Sequence, residues 1–158
     1  LRIVNGASLA AASSPSVTFD FQGDADAYLD TVNGGGGELA PTSWNQFDNV
    51  VVFSNRATWS VTVSATAIVF DNNYGLAGMT PNGVSLADII VRPSGTTETN
   101  VSSRASSWDM TGGTIASGVR TQGWRRLGFG GGDYRFAVNG DENPGTYTTT
   151  VTYTIAAP

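Results

Sequence analysis

From Thr146 to Thr154 every even-numbered position is threonine, while Tyr147, Val151, Tyr153 and Ile155 fall on odd ones. A period of two sends successive side chains to opposite faces of a strand, so this segment carries one apolar face and one β-branched hydroxyl face. A helix cannot use that pattern. The same alternation runs from Thr58 to Val69, with Trp59, Val61, Val63, Ala65, Ala67 and Val69 set against Thr58, Ser60, Thr62, Ser64 and Thr66. Shorter runs lie at Val17-Phe19-Phe21, Asn49 to Phe53, Asp88 to Arg92, Thr97 to Ser102 and Tyr134-Phe136-Val138. Trp59, Val61, Val63, Tyr147, Val151, Tyr153 and Ile155 are the expected core-strand residues.

Turn signals such as Gly34 to Gly37, Pro81-Asn82-Gly83, Pro93-Ser94-Gly95, Asn139-Gly140 and Asn143-Pro144-Gly145 separate these runs. Together they predict an all-β fold, a β-sandwich of about eight to ten strands. Helical composition is confined to Ala7 to Ala12 and a turn near Ser85 to Asp88, each too short to stand alone. The 158 residues suit one domain, read as an N-terminal arm at 1–15 and a globular body at 16–158. Leu1, Ile3, Val4 and Leu9 are the large apolar side chains of the arm and mark it as a candidate donor strand. It is expected to pair either within its own sheet or with a neighbouring subunit.

The chain has no His and no Cys, and all eight of its basic residues are Arg. That removes the Ser-His-Asp triad, the thiolate nucleophile, the ordinary zinc site and the Schiff-base lysine. No catalytic residue, cofactor or metal is expected. A net charge of -5 argues against nucleic acid and anionic membranes, and no run of about 18 apolar residues is present to span a bilayer as a helix. Charged residues make up 13% and apolar ones 40%, so the polarity comes from hydroxyls and amides, a profile shared with exported β-rich proteins. The chain begins at Leu1 rather than Met, which reads as either a removed leader, the preferred expectation, or an arbitrary boundary of the sequence. An extracellular or cell-surface location is expected.

Four clusters are candidates for chemistry or contact. Asp24-Ala25-Asp26 and Asp30 resemble the start of a calcium loop, but Tyr28 and Gly35 stand where further ligands belong, so they read as solvated loop carboxylates. Arg120, Trp124, Arg125 and Arg126 form a basic and aromatic patch able to grip carboxylate or sulfate on an acidic glycan or a neighbouring subunit, or to pair with acids of the same chain. Trp44, Trp108 and Trp124 are candidate sugar-stacking surfaces. Asn100-Val101-Ser102 is a glycosylation acceptor tripeptide.

Trp59-Ser60-Val61-Thr62-Val63 resembles the first Trp-x-Leu segment of the WxL domains of bacterial cell surfaces. The ending from Gly145 to Pro158 resembles their C-terminal strand, with Tyr153-Thr154-Ile155 in place of the second Trp-x-Leu, and is similar to the endings of pilus-like and spore-coat subunits. Val61 and Ile155 stand for Leu, and Tyr153 for Trp. The resemblance implies an extracellular β-sandwich and, for the WxL family, attachment to peptidoglycan.

The expected function is a structural subunit of an extracellular filament, pilus or surface layer, with further copies of itself as partner. Without Lys and Cys neither isopeptide bonds nor disulfides can hold such a polymer, which leaves non-covalent β-strand addition. The alternatives are a glycan or cell-wall binding module and a viral or phage surface protein.

Overall fold

The computed structural model describes residues 7–10, 16–23, 25–45, 49–72, 75, 80 and 82–158, with the side chains of 7–10 excepted. In chain order the elements are β1 (Ala7–Ala10), β2 (Ser16–Thr18), the helix α1 (Ala25–Asn33), β3 (Gly37–Leu39), β4 (Ser43–Asn45), β5 (Val51–Ser54), β6 (Thr58–Ala65) and β7 (Val69–Asp71). Then follow β8 (Ile89–Val91), β9 (Val101–Arg104), β10 (Trp108–Asp109), β11 (Gly113–Val119), β12 (Arg125–Arg126), β13 (Tyr134–Val138), β14 (Thr146–Thr148) and β15 (Val151–Ala156). The protein is all-β, and its strands pair antiparallel. One sheet has the order β15-β6-β11-β9, a second β10-β8-β13-β3, a third β1-β5-β12, and β14-β7 and β2-β4 form two-stranded ribbons. No helix among the described residues is long and apolar enough to cross a membrane.

Alternation decides which faces are buried. On β6 the side chains of Trp59, Val61 and Val63 are buried, and on β15 Val151, Tyr153 and Ile155 are half-buried while Thr152 and Thr154 are exposed. Tyr147 on β14 is half-buried and lies against Phe70 with ring centroids 4.9 Å apart. The second sheet meets the first where the Tyr134 and Tyr153 hydroxyls approach to 2.7 Å. Phe129 packs beside them, 5.3 Å from Tyr153 and edge-on to Trp108 at 4.8 Å. Burial pushes both phenols toward the neutral form, Tyr153 up to about 12.

The two long strands expected at 58–69 and 146–155 pair with each other, but each is broken. Val151 stands opposite Ala65 and Thr148 opposite Val69, so three residues on one side face two on the other. This bulge slips the register by one residue. Threonine side chains close the gap: Thr150 N–H donates to Thr66 Oγ1 at 3.0 Å and Thr149 Oγ1 to the Thr66 carbonyl at 2.7 Å. The fold has more and shorter strands than expected, with β3, β4, β10, β11 and β12 lacking a clear alternating signal. The run expected at Thr97 to Ser102 begins only at Val101, because Asn100 turns the chain at φ 75°.

Helix α1 corrects the loop reading of Asp26 and Asp30; Asp24 lies outside the described residues. Ala27, Tyr28, Thr31 and Val32 share its half-buried face, and Phe21 bridges Tyr28 to Phe136 on β13. A nine-residue helix has little stability of its own, so this contact, not propensity, holds it. Gly35 and Gly36 end it at φ 98° and 91°, their N–H groups donating to the Val32 and Thr31 carbonyls. The helical composition expected at Ala7 to Ala12 is overridden at Ala7–Ala10, where the main chain pairs with β5; residues 11 and 12 lie outside the described ones. A 3-10 turn does form at Leu86–Asp88, where Ser85 N–H donates to Asp88 Oδ2 at 2.7 Å.

Gly118 on β11 is required by close approach: a Cβ there would stand 2.1 Å from the Asn100 carbonyl oxygen and 2.2 Å from Trp59 Cζ2. Two stability predictions follow from this packing. Gly118→Ala is expected to cost about 1–3 kcal/mol, read as a fall of several degrees in the melting temperature. Val61→Asp buries an unpaired charge and should abolish cooperative unfolding by circular dichroism, whereas Thr154→Asp on the exposed face should leave the transition nearly unchanged.

Candidate functional site

Strand β5 is hydrogen-bonded on both sides, and the two sides differ in kind. On one, Arg125 and Arg126 stand opposite Val52 and Val51, and the pairing continues through Leu127 N–H to the Val50 carbonyl at 2.9 Å and Val50 N–H to the Phe129 carbonyl at 3.0 Å. On the other lies β1, with Ala7 opposite Ser54, Ser8 opposite Phe53, Leu9 opposite Val52 and Ala10 opposite Val51. β1 also runs close to β15, which is an edge strand of its own sheet. It therefore occupies a slot between two sheet edges, bonded to one of them. Of the expected arm, residues 7–10 pair within their own chain; Leu1, Ile3 and Val4 lie outside the described residues.

The slot ends beside the arginine patch. Thr121 N–H donates to the Ser54 carbonyl at 2.8 Å and Ser54 N–H to Thr121 Oγ1 at 2.9 Å, while Thr58 pairs with Val119. These bonds bring Arg56, which the sequence pattern did not single out, to the same end as exposed Arg120. The four expected patch residues are brought together in chain order but do different things. Arg125 is committed locally, donating from Nη1 to the Trp124 carbonyl at 3.1 Å, from Nη2 to the Gln122 carbonyl at 3.0 Å and from Nε to Asn100 Oδ1 at 3.5 Å. Arg126 faces Glu98, Nε to Oε1 at 3.8 Å. Trp124 is 49% exposed, its ring 5.8 Å from Phe53. Asn100, the candidate glycosylation position, is half-buried beneath Arg125.

Among the other tryptophans, Trp108 is half-buried, edge-on to Phe129. Trp44 is different: its indole runs along the backbone of Gly131 and Gly132, where added Cβ atoms would meet the ring at 2.8–3.5 Å, and it is 48% exposed.

Acidic side chains serve the main chain. Buried Asp133 accepts from Ser94 N–H at 3.0 Å and Gly130 N–H at 2.9 Å. Among the described residues no three acids converge on a metal position. Glu142 closes a knot: it accepts from Asn139 N–H at 2.8 Å, Gly140 N–H at 2.9 Å and the Tyr28 hydroxyl at 2.8 Å, beside a cleft of about 160 Å³ lined by Gly83, Asp88, Val138 and Asn139. Burial opposes the charge on Glu142, yet these donors outweigh it and hold its carboxyl below the usual range. Burial and the neighbouring carboxylate push Tyr28 up to about 12. Nothing in the local sequence signals this pairing, whose partners are 114 residues apart.

Comparisons with protein-family models, with curated proteins and with solved structures find no match to this chain.

The knot gives a pH dependence. An unfolded glutamate titrates near about 4.3, so the stabilisation from Glu142 is present above that value and lost as pH falls through the lower folded-state value. The melting temperature of the parent should exceed that of Glu142→Gln most at neutral pH, and the gap should close below about pH 4. A gap unchanged across that range would show that the bonds to Glu142 do not depend on its charge.

Proposed function

We propose that the protein is a structural subunit of an extracellular filament, pilus or surface layer, built on a β-sandwich body and assembled non-covalently by β-strand addition. The observation that carries this reading is the position of β1. It is bonded to the chain's own body along one edge of β5, beside the edge strand β15, and is separated from β2 in sequence by Ala11-Ala12-Ser13-Ser14-Pro15. The same main-chain bonds are available to residues 7–10 of another copy, because edge pairing uses backbone groups and tolerates exchange between identical chains. In the lone chain β1 covers its own slot, so assembly is an exchange of a cis strand for a trans one. Leu1, Ile3 and Val4 would extend the donor. The resemblance of Trp59 to Val63 and of the C-terminal strand to surface and pilus-like subunits agrees with this reading.

A second reading, a glycan-binding module, is favoured by Trp44. An indole pinned on one side by two glycines and half exposed is suited to stack on the C–H face of a sugar ring. If this second reading holds, a soluble cell-wall glycan should quench tryptophan fluorescence in the parent and not in Trp44→Ala.

Strand exchange is tested directly because the chain contains no cysteine. Ala10 and Val51 face each other across the pair, at a Cα separation of about 4.5–5.5 Å that a disulfide can bridge. Oxidising A10C/V51C in assembled material should give a ladder of covalent multimers on a non-reducing gel. If only intrachain links form in material that has assembled, β1 is not the exchanged strand.

A further inference from the structure

We infer that the two ends of the long ribbon formed by β6–β7 and β14–β15 are complementary docking surfaces for a second copy of this chain, the cationic end of one copy meeting the acidic end of the next. This rests on the self-assembly reading above and adds a contact that strand exchange does not require.

The segregation of charge is the first argument. Thr58, at the start of β6, pairs with Val119, and Asp71, at the end of β7, pairs with Thr146, so these pairs mark opposite ends of one ribbon. Residues 54–58, 98–100 and 119–126, at the first end, contain Arg56, Arg120, Arg125 and Arg126 against a single acid, Glu98. Residues 69–72, 82–83 and 139–146, at the other end, contain Asp71, Asp141 and Glu142 and no basic residue. The acidic end is held together. Tyr147 donates to the Asn143 carbonyl at 2.8 Å, Asn82 Nδ2 to the Asp141 carbonyl at 3.1 Å, and Tyr28 to Glu142. That last bond also ties in α1, on which Asp26 and Asp30 stand exposed.

The second argument is what the charges leave free. Arg56, Arg120, Asp71 and Asp141 are exposed, while the buried or half-buried ionisable groups of both ends are committed to local partners. Exposed Trp124 and Val119, at 49% and 44%, lie among the arginines and supply apolar area to bury at the contact. Trp and Arg together are the residues on which interface energy concentrates, and the guanidinium fork suits carboxylates better than an ammonium does.

The third is net charge. At -5, copies repel at long range, and a polarised arrangement gives them one orientation in which charge attracts. A contact between opposite ends is heterologous and leaves a free end of each kind, so it propagates as an open chain instead of closing as a dimer.

The test uses the 158-residue chain and three double variants, followed by sedimentation velocity at about 20 mM and about 500 mM salt. Parent association should weaken at least tenfold at the higher salt. R56E/R120E has two acidic ends and D71R/D141R two cationic ones, so each alone should lose the salt-sensitive part of the parent's association. An equimolar mixture should associate into alternating chains, which no general loss of stability can produce. Circular dichroism confirms that each is folded; if a double variant is not, the single variants R120E and D141R, which weaken the charge of one end without inverting it, should each associate less than the parent at low salt. Variants that associate as the parent does, or folded variants whose mixture stays monomeric, overturn the inference. A10C/V51C, oxidised in dilute solution so that β1 is locked in cis, separates the two proposals. Salt-sensitive pairing that survives in the locked chain supports the end contact even if strand exchange fails, and its loss there, with assembly returning on reduction, assigns association to the strand alone.

Discussion

Burial of Trp59, Val61 and Val63 on β6 is the contact on which the rest of the molecule depends. β6 is flanked on both sides, by β11 and β15, and its apolar face meets the sheet that carries Tyr134. Each of those three side chains is buried at 2% exposure or less, so each contributes the transfer free energy of a whole side chain, about 1.5–3 kcal/mol for the valines. The indole also fixes its neighbours. Trp59 Nε1 donates to the Val119 carbonyl at 2.8 Å, which locks the end of β11 and through it the loop that presents Arg120 and Trp124. The core and the candidate contact surface are thus one mechanical unit.

A chain built from many short strands has many edges, and unpaired edges invite association. Here the edge of β5 is covered by β1, whose main chain pairs with it from Ala7–Ser54 to Ala10–Val51.

The basic residues divide between two tasks. Arg104 donates from Nη1 to the carbonyls of Gly95, Leu127 and Gly128, and Arg135 to those of Gly132 and Tyr134. These irregular segments have too few ladder partners, and a rigid fork of donors satisfies several carbonyls at once. Arg92 pairs with Glu38 across the second sheet. Arg56 and Arg120 remain at the surface, which is why the cationic character of one end survives in an acidic protein.

By itself the sequence determined the fold class and the facing of the main strands. Alternation is a local property, and the threonine and valine rows at 58–65 and 151–156 predict which side chains turn inward whatever the partner strand is. Tertiary structure alone decided the rest. Helix α1 exists because Phe21 and Glu142 hold Tyr28, contacts invisible to a nine-residue window. The bulge at Thr66 is set by the partner strand, and the strand at 7–10 by an open edge more than forty residues away in sequence. The arginine patch was legible as a cluster, but Arg56 joins it only because Ser54 and Thr121 bond to each other. Contacts of this kind depend on chain segments brought together after folding, and no local pattern encodes them.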